Sequence, residues 1–389
     1  MNQKRSALLG CLLAATVWAA PAGELDTLKE SVHGRFLIGA AINGAQIREE
    51  NPRTTDLIAR QFSSISPENA LKWENLHPRS DGYDFTLADR YVDFGERHRM
   101  FVIGHTLVWH SQTPRWVFED SPGHPCSRSV LLARMQDHIR TVMGRYRGRV
   151  KGWDVVNEAL EEDGSLRNSP WKKILGDGFI PEAFRCAHEA DPAAELYYND
   201  YSLENPRKLA GAVRLVRRLH QAGVPITAVG IQEHVNLDWP APGLLDSAIR
   251  TLAATGVKVN ISELDVDVLP PPGSGHSADV SRHFAGGTGL NPYPTGLPET
   301  VQQALARRYA DLFGVYCRHA QDIRRVTFWG VADGDSWLND WPVSGRRSYP
   351  LLFDRAGQRK PAFAAVLQVL SRPAPQESAS RESHATQDR

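Results

Sequence analysis

Hydrophobic positions along the chain gather into short β-rich runs that are separated by longer amphipathic stretches. The runs are FLIGAAI (36–42), FSSISPEN (62–69), MFVIGHTLVW (100–109), RVKGWDVVNE (149–158), AELYYND (194–200), ITAVGIQ (226–232), GVKVNISEL (256–264) and RRVTFWG (324–330). Helices are predicted over 130–146, 206–223 and 298–320. The second of these ends on Gly223, a residue type that often follows a helix C-terminus. The pattern therefore predicts eight strands that alternate with helices.

This alternation indicates parallel βαβ units. Eight units predict an α/β fold of the (β/α)8 TIM-barrel type, which takes about 250 residues or more. A doubly wound open sheet is the alternative, but no glycine-rich dinucleotide-binding loop follows the first run. We predict a single domain over residues 23–370 and a disordered C-terminal tail over 371–389, which has no large apolar residue. Residues 267–298 are rich in glycine and proline and predict a long loop after the seventh strand.

The N-terminus has the pattern of an export signal. Lys4 and Arg5 precede an apolar run over 6–20, and small residues follow it. We therefore predict a signal peptide over residues 1–22 and a secreted or periplasmic protein. A lipoprotein cut before Cys11 is the alternative, although it would leave a very short apolar segment.

Charge and cysteine content exclude some classes of function. Lys+Arg and Asp+Glu both number 45, so the chain has no electrostatic footprint for nucleic acid or an anionic membrane. Beyond Cys11, the cysteines are Cys126, Cys186 and Cys317. An odd number in an exported protein implies a free thiol or an intermolecular bond. A structural zinc site is not expected, because the sequence contains no Cys/His cluster.

Polar and aromatic side chains stand at the carboxyl ends of most runs, where a barrel of this type forms its active site. WDVVNE closes on Asn157 and Glu158, and NISELD contains Glu263. Side chains alternate along a strand, so Glu263 and Asp265 should share a face. The same reasoning pairs Gln232 with His234 and His105 with Trp109.

Two carboxylic acids on different strands of one barrel are what glycoside hydrolysis requires. One acid protonates the leaving oxygen, and the other attacks the anomeric carbon or activates water. Chain spacing does not choose between retention and inversion of configuration. Metal catalysis is not expected, because His105 and His110 should face opposite sides of their strand and no HExxH occurs. A serine hydrolase is not expected, because the sequence contains no GxSxG elbow.

The chain resembles the family ten glycoside hydrolases, which are chiefly endo-β-1,4-xylanases. The resemblance runs from about Phe36 to Phe363 and rests on ordered motifs: SPENALKW, GHTLVWHSQTPRW, GWDVVNEAL, YYNDYSLE, GIQEH, NISELDV and VTFWGVADGDSWL. It implies that Glu158 is the acid/base and that Glu263 is the nucleophile of a retaining mechanism. It further implies that His234, with Asp265 behind it, orients the nucleophile, and that Asn157 binds the sugar 2-hydroxyl.

The resemblance also implies a set of substrate-binding residues. They are Glu68, Asn69, Lys72, His105, Trp109, Tyr198, Asn199, Gln232, Trp329 and Trp337. Tyr198 and Asn199 match positions on the aglycone side. Glu233 departs from the family pattern, which often has a small or neutral residue there, and by alternation it should point away from Gln232 and His234. The loop over 267–298 is longer than in many relatives and should shape the aglycone end of the cleft.

We therefore predict a retaining endo-β-1,4-xylanase that hydrolyses internal bonds of xylan without a metal or another cofactor. Xylan or a xylo-oligosaccharide is the expected partner, with no nucleic acid and no membrane, and the chain is expected to be monomeric. A β-1,4-glucanase or a mixed xylanase/cellobiohydrolase on the same barrel is one alternative. A non-catalytic xylan-binding protein is the alternative from another class, and the presence of both glutamates argues against it.

Overall fold

The computed structural model describes residues 27–273, 278–287 and 289–372. Its central sheet has eight parallel strands in chain order: β1 (Leu37–Ile42), β2 (Ser64–Pro67), β3 (Phe101–Trp109), β4 (Gly152–Asn157), β5 (Glu195–Asp200), β6 (Ala228–Ile231), β7 (Lys258–Asp267) and β8 (Ile323–Phe328). Each strand pairs with its neighbours in chain order, and β8 pairs with β1. The sheet is therefore closed, and the predicted (β/α)8 barrel is confirmed.

One principal helix follows each strand. These helices are α1 (Pro52–Gln61), α2 (Thr86–Arg97), α3 (Arg128–Arg145), α4 (Phe179–Ala190), α5 (Pro206–Gln221), α6 (Pro242–Ala253), α7 (Glu299–Arg318) and α8 (Pro361–Leu370). Shorter helices span Leu28–Ser31, Gly44–Ile47, Trp73–Leu76, Arg115–Val117, Pro170–Leu175, Gly176–Gly178, Asp333–Asp335 and Trp337–Asn339. Short strands span Glu119–Ser121, His124–Pro125 and His234–Asn236, and the last one pairs with the end of β7.

Local sequence explains the ends of α5. The Asn205 side chain accepts a hydrogen bond from the Arg207 N–H, and Pro206 occupies the first turn, where a missing N–H costs nothing. At the other end Gly223 has a φ of 65°, a left-handed conformation that suits glycine. The helix predicted over 206–223 is confirmed, although it ends at Gln221, two residues before Gly223.

The barrel has an apolar outer layer and a polar interior. Phe328 of β8 packs against Phe62, Tyr309 and Phe313, which follow α1 or lie on α7, with ring centroids 5.9–6.3 Å apart. Inside the barrel, the buried Arg325 guanidinium lies 3.6 Å from a carboxylate oxygen of Asp154. This ion pair lies beneath the carboxyl ends of the strands and begins a polar network that continues into the site.

Several sequence predictions concern segments outside the barrel. In its described parts, the segment between β7 and α7 contains no helix or strand, as predicted for a long loop. The signal peptide, Cys11 and all but the first two residues of the predicted tail lie outside the described residues. Cys126, Cys186 and Cys317 are free thiols. Among the helices described, none is both long and apolar enough to cross a membrane.

Candidate active site

A cavity of about 560 Å³ opens at the carboxyl ends of the strands. Most of the predicted site residues line it, together with three others that the sequence did not single out. The lining consists of Glu68, Asn69, Lys72, His105, Trp109, Gln112, Glu158, Gln232, His234, Glu263, Ala278, Val280, Trp329 and Trp337. The closed barrel thus brings together strand ends that are distant in sequence.

Glu158 is fixed by its backbone as well as by its side chain. It follows the last residue of β4 with a φ of 54°, which is uncommon for a residue with a side chain. Its N–H donates to the Asn199 carbonyl at 2.8 Å, and its own carbonyl accepts from Arg167 Nε at 2.9 Å. These two bonds hold the turn that directs the Glu158 carboxyl group into the cavity.

The Glu158 carboxyl group is surrounded by donors. Gln232 Nε2 lies 3.0 Å from Oε1, and Trp109 Nε1 lies 2.9 Å from Oε2. Asn157 Nδ2 also donates to Oε1 at 3.1 Å. Burial raises the pKa of Glu158 to about 7, and the negative charges of Asp200 and Glu263 act in the same direction. The hydrogen bonds from Gln232 and Trp109 lower this pKa but only partly offset the rise. Glu158 can therefore both give and accept a proton near neutral pH.

Glu263 on β7 experiences the opposite balance. Asn199 Nδ2 donates to Oε1 at 2.6 Å, and His234 Nε2 lies 3.2 Å from Oε2. Burial alone would raise the pKa of Glu263, but the hydrogen bond and charge of His234 and the charge of His105 outweigh burial and hold it below its usual value. Glu263 is therefore a carboxylate at neutral pH.

His234 owes its charge to a second carboxylate. Burial disfavours its charged form, but Asp265 and Glu263 together raise the pKa of His234 to about 10. His234 Nδ1 lies 3.1 Å from Asp265 Oδ2, and Trp337 Nε1 donates to the same oxygen at 2.8 Å. The imidazolium is thus held between Asp265 and Glu263, in the arrangement that the sequence predicted.

Asn199 and Tyr198 lie beneath the cavity rather than on its surface. The Asn199 side chain is fully buried and donates to both Glu263 and Asn157 Oδ1. Tyr198 is also fully buried, and its hydroxyl donates to Asp200 and accepts from the Ala159 N–H. Direct sugar contact was expected for both residues, but neither lines the cavity: Asn199 bonds its neighbours Asn157 and Glu263, and Tyr198 packs in the apolar core. Asn199 instead donates a hydrogen bond to Glu263.

Gly230 on β6 makes room for the Asn199 amide. A Cβ atom at this position would lie 2.2 Å from Asn199 Oδ1 and 3.1 Å from Ser262 Oγ. Ser262 Oγ in turn donates to Asn199 Oδ1. The absence of a side chain at Gly230 is therefore a requirement of the geometry around Glu263.

Charged and aromatic residues form the wall on the β2–β3 side. Lys72 Nζ donates to Asn69 Oδ1 at 2.9 Å and to Gln112 Oε1 at 2.7 Å, and it lies 5.1 Å from the centre of the Trp109 ring. Burial lowers the pKa of Lys72 and raises that of Glu68, and each group moderates the shift of the other. This wall offers many hydrogen-bonding groups within a water-poor surface, which suits recognition of sugar hydroxyls.

Residues that the sequence did not single out also support the site. Gln112 lies within the motif GHTLVWHSQTPRW, so its position in a long motif was the available signal. Ala278 and Val280 come from the loop after β7, which was predicted to shape the cleft only as a whole. Arg167 had no signal, because its contact with the Glu158 carbonyl depends on how the loop after β4 folds back.

A second cavity of about 690 Å³ adjoins the first. His234, Asp265 and Trp337 line it, together with residues of the loop after β7 such as Phe284. Trp337 stacks on Trp341 with ring centroids 4.2 Å apart, and Trp337 also lines the first cavity. Within the described ranges, no group of three or more His, Cys, Asp and Glu side chains is arranged to hold a metal ion.

A closed barrel with two buried glutamates on separate strands, whose pKa values are pushed in opposite directions, has the design of a glycoside hydrolase active site. The family comparison gives the same class. Residues 27–369 match the model of glycosyl hydrolase family 10, and the chain belongs to that family.

Individual relatives match over nearly their whole length. The chain is 44% identical to endo-1,4-beta-xylanase A of Xylanibacter ruminicola over 351 residues, which cover 90% of this chain and 95% of that protein. It is similar to the structure of a family 10 endoxylanase retrieved from a sugarcane soil metagenome, with 46% identity, a TM-score of 0.86 and coverage of 88% and 99%. A xylanase from Thermoanaerobacterium saccharolyticum, solved with xylotriose, is 34% identical with a TM-score of 0.77 and coverage of 88% and 98%.

Proposed function

We propose that this enzyme is a retaining endo-β-1,4-xylanase that works by double displacement. The observation that carries the proposal is the contrast between the two cavity glutamates: burial raises the pKa of Glu158 to about 7, whereas His234 helps to hold that of Glu263 below its usual value. One group is thus suited to proton transfer and the other to nucleophilic attack.

In the first step, a Glu263 oxygen attacks the anomeric carbon and the bond to the leaving oxygen breaks. Glu158 gives its proton to that oxygen, so the departing sugar leaves as a neutral alcohol. In the second step, Glu158 removes a proton from water, and the water oxygen displaces Glu263 from the anomeric carbon. Two inversions at the same carbon give net retention.

The surrounding groups have supporting roles in this proposal. Asn157, which donates to Glu158 and accepts from Asn199, is proposed to bind the sugar 2-hydroxyl. The wall that contains Glu68, Asn69 and Lys72 is proposed to hold the glycone sugars. Trp329 and Trp337 offer flat apolar surfaces for sugar rings.

Xylan is the proposed substrate because the relatives described above are xylanases and one of them was solved with xylotriose. The test has two parts. Reducing sugar should be released faster from xylan than from soluble cellulose, and NMR of the first-formed product should show the β-anomer. Preference for cellulose would favour the glucanase alternative, an initial α-anomer would contradict retention, and binding without hydrolysis would favour a carbohydrate-binding protein.

We further propose that the protein is exported, on the evidence of the charged and apolar pattern over residues 1–22. N-terminal sequencing of the protein from the outside of its producing cells should give a chain that begins near Gly23. A mature N-terminus at a lipid-modified Cys11 would support the lipoprotein alternative, and retention of Met1 in the cell would contradict export.

A further inference from the structure

Two glutamates that take no part in the proposed reaction lie buried behind the site. Glu204 lies between β5 and α5 and is 2% exposed, and Glu233 follows β6 and is 1% exposed. Among the described residues, no hydrogen bond of normal geometry reaches any of their four carboxylate oxygens, although the Tyr316 hydroxyl lies near Glu233 and the Glu204 backbone N–H lies near its own carboxyl group. The two carboxyl groups instead face each other at hydrogen-bonding range. Two carboxylates can only accept, so a hydrogen bond between these two groups requires that one of them carries a proton.

The neighbouring cations have other partners. Lys208 Nζ of α5 lies 2.9 Å from Asp200 Oδ1, and Arg308 of α7 donates to the carbonyls of Asn236 and Pro240. The Tyr316 hydroxyl of α7 is the other titratable group near Glu233, and it can donate a hydrogen bond to that carboxylate. These positive charges favour one negative charge on the pair. Burial raises the pKa of both glutamates, so the charge of a second ionised carboxylate is strongly opposed.

Glu233 lies between two residues that contact the cavity glutamates. It has a φ of 59° although it carries a side chain, a left-handed conformation that is unfavourable for such residues. On one side of it Gln232 donates to Glu158, and on the other side His234 contacts Glu263. The left-handed turn at Glu233 is what lets both neighbours face the cavity while the Glu233 side chain points away. That orientation matches the one expected from strand alternation.

We propose that Glu204 and Glu233 form a proton-sharing pair that holds the turn at Glu233 and thereby positions Gln232 and His234 against the two catalytic carboxylates. Both members are positioning residues, because neither lines the cavity. When the shared proton is lost, two like charges face each other in a desolvated space and the turn relaxes. Glutamine at position 233 offers an N–H donor to the Glu204 carboxylate at every pH, so it can replace the shared proton.

The kinetic test uses a dinitrophenyl xylobioside, whose leaving group needs little help from Glu158, and it rests on the proposed function. As the pH rises from 6 to 9, kcat/KM of the native protein should fall relative to that of Glu233→Gln, whose value should stay within about threefold. Glu233→Ala should lose roughly tenfold to a hundredfold at every pH, because it removes the anchor of the turn. Glu204→Gln probes the pair from its other side. Glu299→Gln, an exposed change of the same charge on α7, should follow the native profile.

Thermal unfolding tests the shared proton without any substrate. The folded state binds a proton that the unfolded chain releases above the usual glutamate pKa, so native stability should fall as pH rises through and above that value. The Tm of Glu233→Gln minus that of the native protein should therefore increase with pH. A pH-independent difference would overturn the shared proton, and parallel kinetic profiles for Glu233→Gln and native protein would overturn the positioning role. Failure of the native protein to cleave the xylobioside would instead count against the proposed function.

Discussion

The His234 imidazole lies 3.2 Å from Glu263 through Nε2 and 3.1 Å from Asp265 through Nδ1. This bridge supplies both a hydrogen bond and a positive charge to Glu263, the proposed nucleophile. His234→Ala should lower kcat roughly 10²–10³-fold, the usual effect of removing one donor from a developing or attacking charge. It should also move the acid limb of kcat/KM to higher pH, because the pKa of Glu263 rises when its cation is removed.

A matched control for this variant is His319→Ala, which removes a histidine that pairs with Asp246 away from the cavity. The control should keep native kcat and the native acid limb. Turnover close to native in a folded His234→Ala protein would contradict the role of His234, and circular dichroism of both variants establishes that they are folded.

The pH dependence of activity should follow the two glutamates. Glu158 must be protonated to assist departure of a sugar, so kcat/KM on xylo-oligosaccharides should fall about tenfold per pH unit above about 7. Glu263 must be ionised, so activity should be lost on the acid side only below the usual carboxylate range. An alkaline limb near the ordinary glutamate pKa would contradict the environment described for Glu158.

Trp109 tests the origin of the alkaline limb. Its indole N–H donates to Glu158 Oε2 and so favours the ionised form. Trp109→Phe should therefore raise the pKa of Glu158 and move the alkaline limb to higher pH, whatever it does to substrate affinity. Trp116→Phe, which removes an indole N–H that donates to the His77 carbonyl, should leave the limb in place.

Gly230 offers a test that leaves every cavity side chain intact. Gly230→Ala would place a methyl group 2.2 Å from Asn199 Oδ1, so the Asn199 amide must move away from Glu263. We expect kcat to fall by roughly 10²-fold, because a displacement of about 1 Å in a supporting group has effects of that size. Gly243→Ala, where no atom lies within 4 Å of the added methyl group, should retain native kcat. Equal activity of the two variants would show that Asn199 is not needed in its observed place.

The periodicity of the sequence was sufficient to predict the barrel, because each strand run and helix is a local pattern that the closed sheet only has to combine. It also predicted that His234 and Gln232 share the cavity, since both follow one strand. It was not sufficient to place Tyr198 and Asn199. Both lie in a motif of the family, but both side chains are fully buried and neither lines the cavity. Whether a strand residue contacts substrate or its neighbour's carboxylate depends on the register between β4, β5 and β7.

The contacts that tune the two glutamates were equally hidden. Arg167 reaches the Glu158 carbonyl from a loop, and Glu204 reaches Glu233 from a different βα unit. Such long-range contacts leave no periodic signal, because they depend on loop conformation and on which helix packs behind which strand. The opposite pKa shifts of Glu158 and Glu263 follow from burial and from the contacts of Gln232 and His234, and they could not be read from the motifs.

Burst kinetics on a dinitrophenyl xylobioside can show whether Glu158 is the acid/base and Glu263 the nucleophile. Glu158→Ala should nearly abolish xylan cleavage, yet it should release a rapid burst of the phenol from the activated substrate, because glycosylation of Glu263 then needs little acid assistance. Slow turnover should follow, since the second step has lost its general base. Glu263→Ala should show neither burst nor turnover. A burst from Glu263→Ala and none from Glu158→Ala would contradict the account and reverse the two roles.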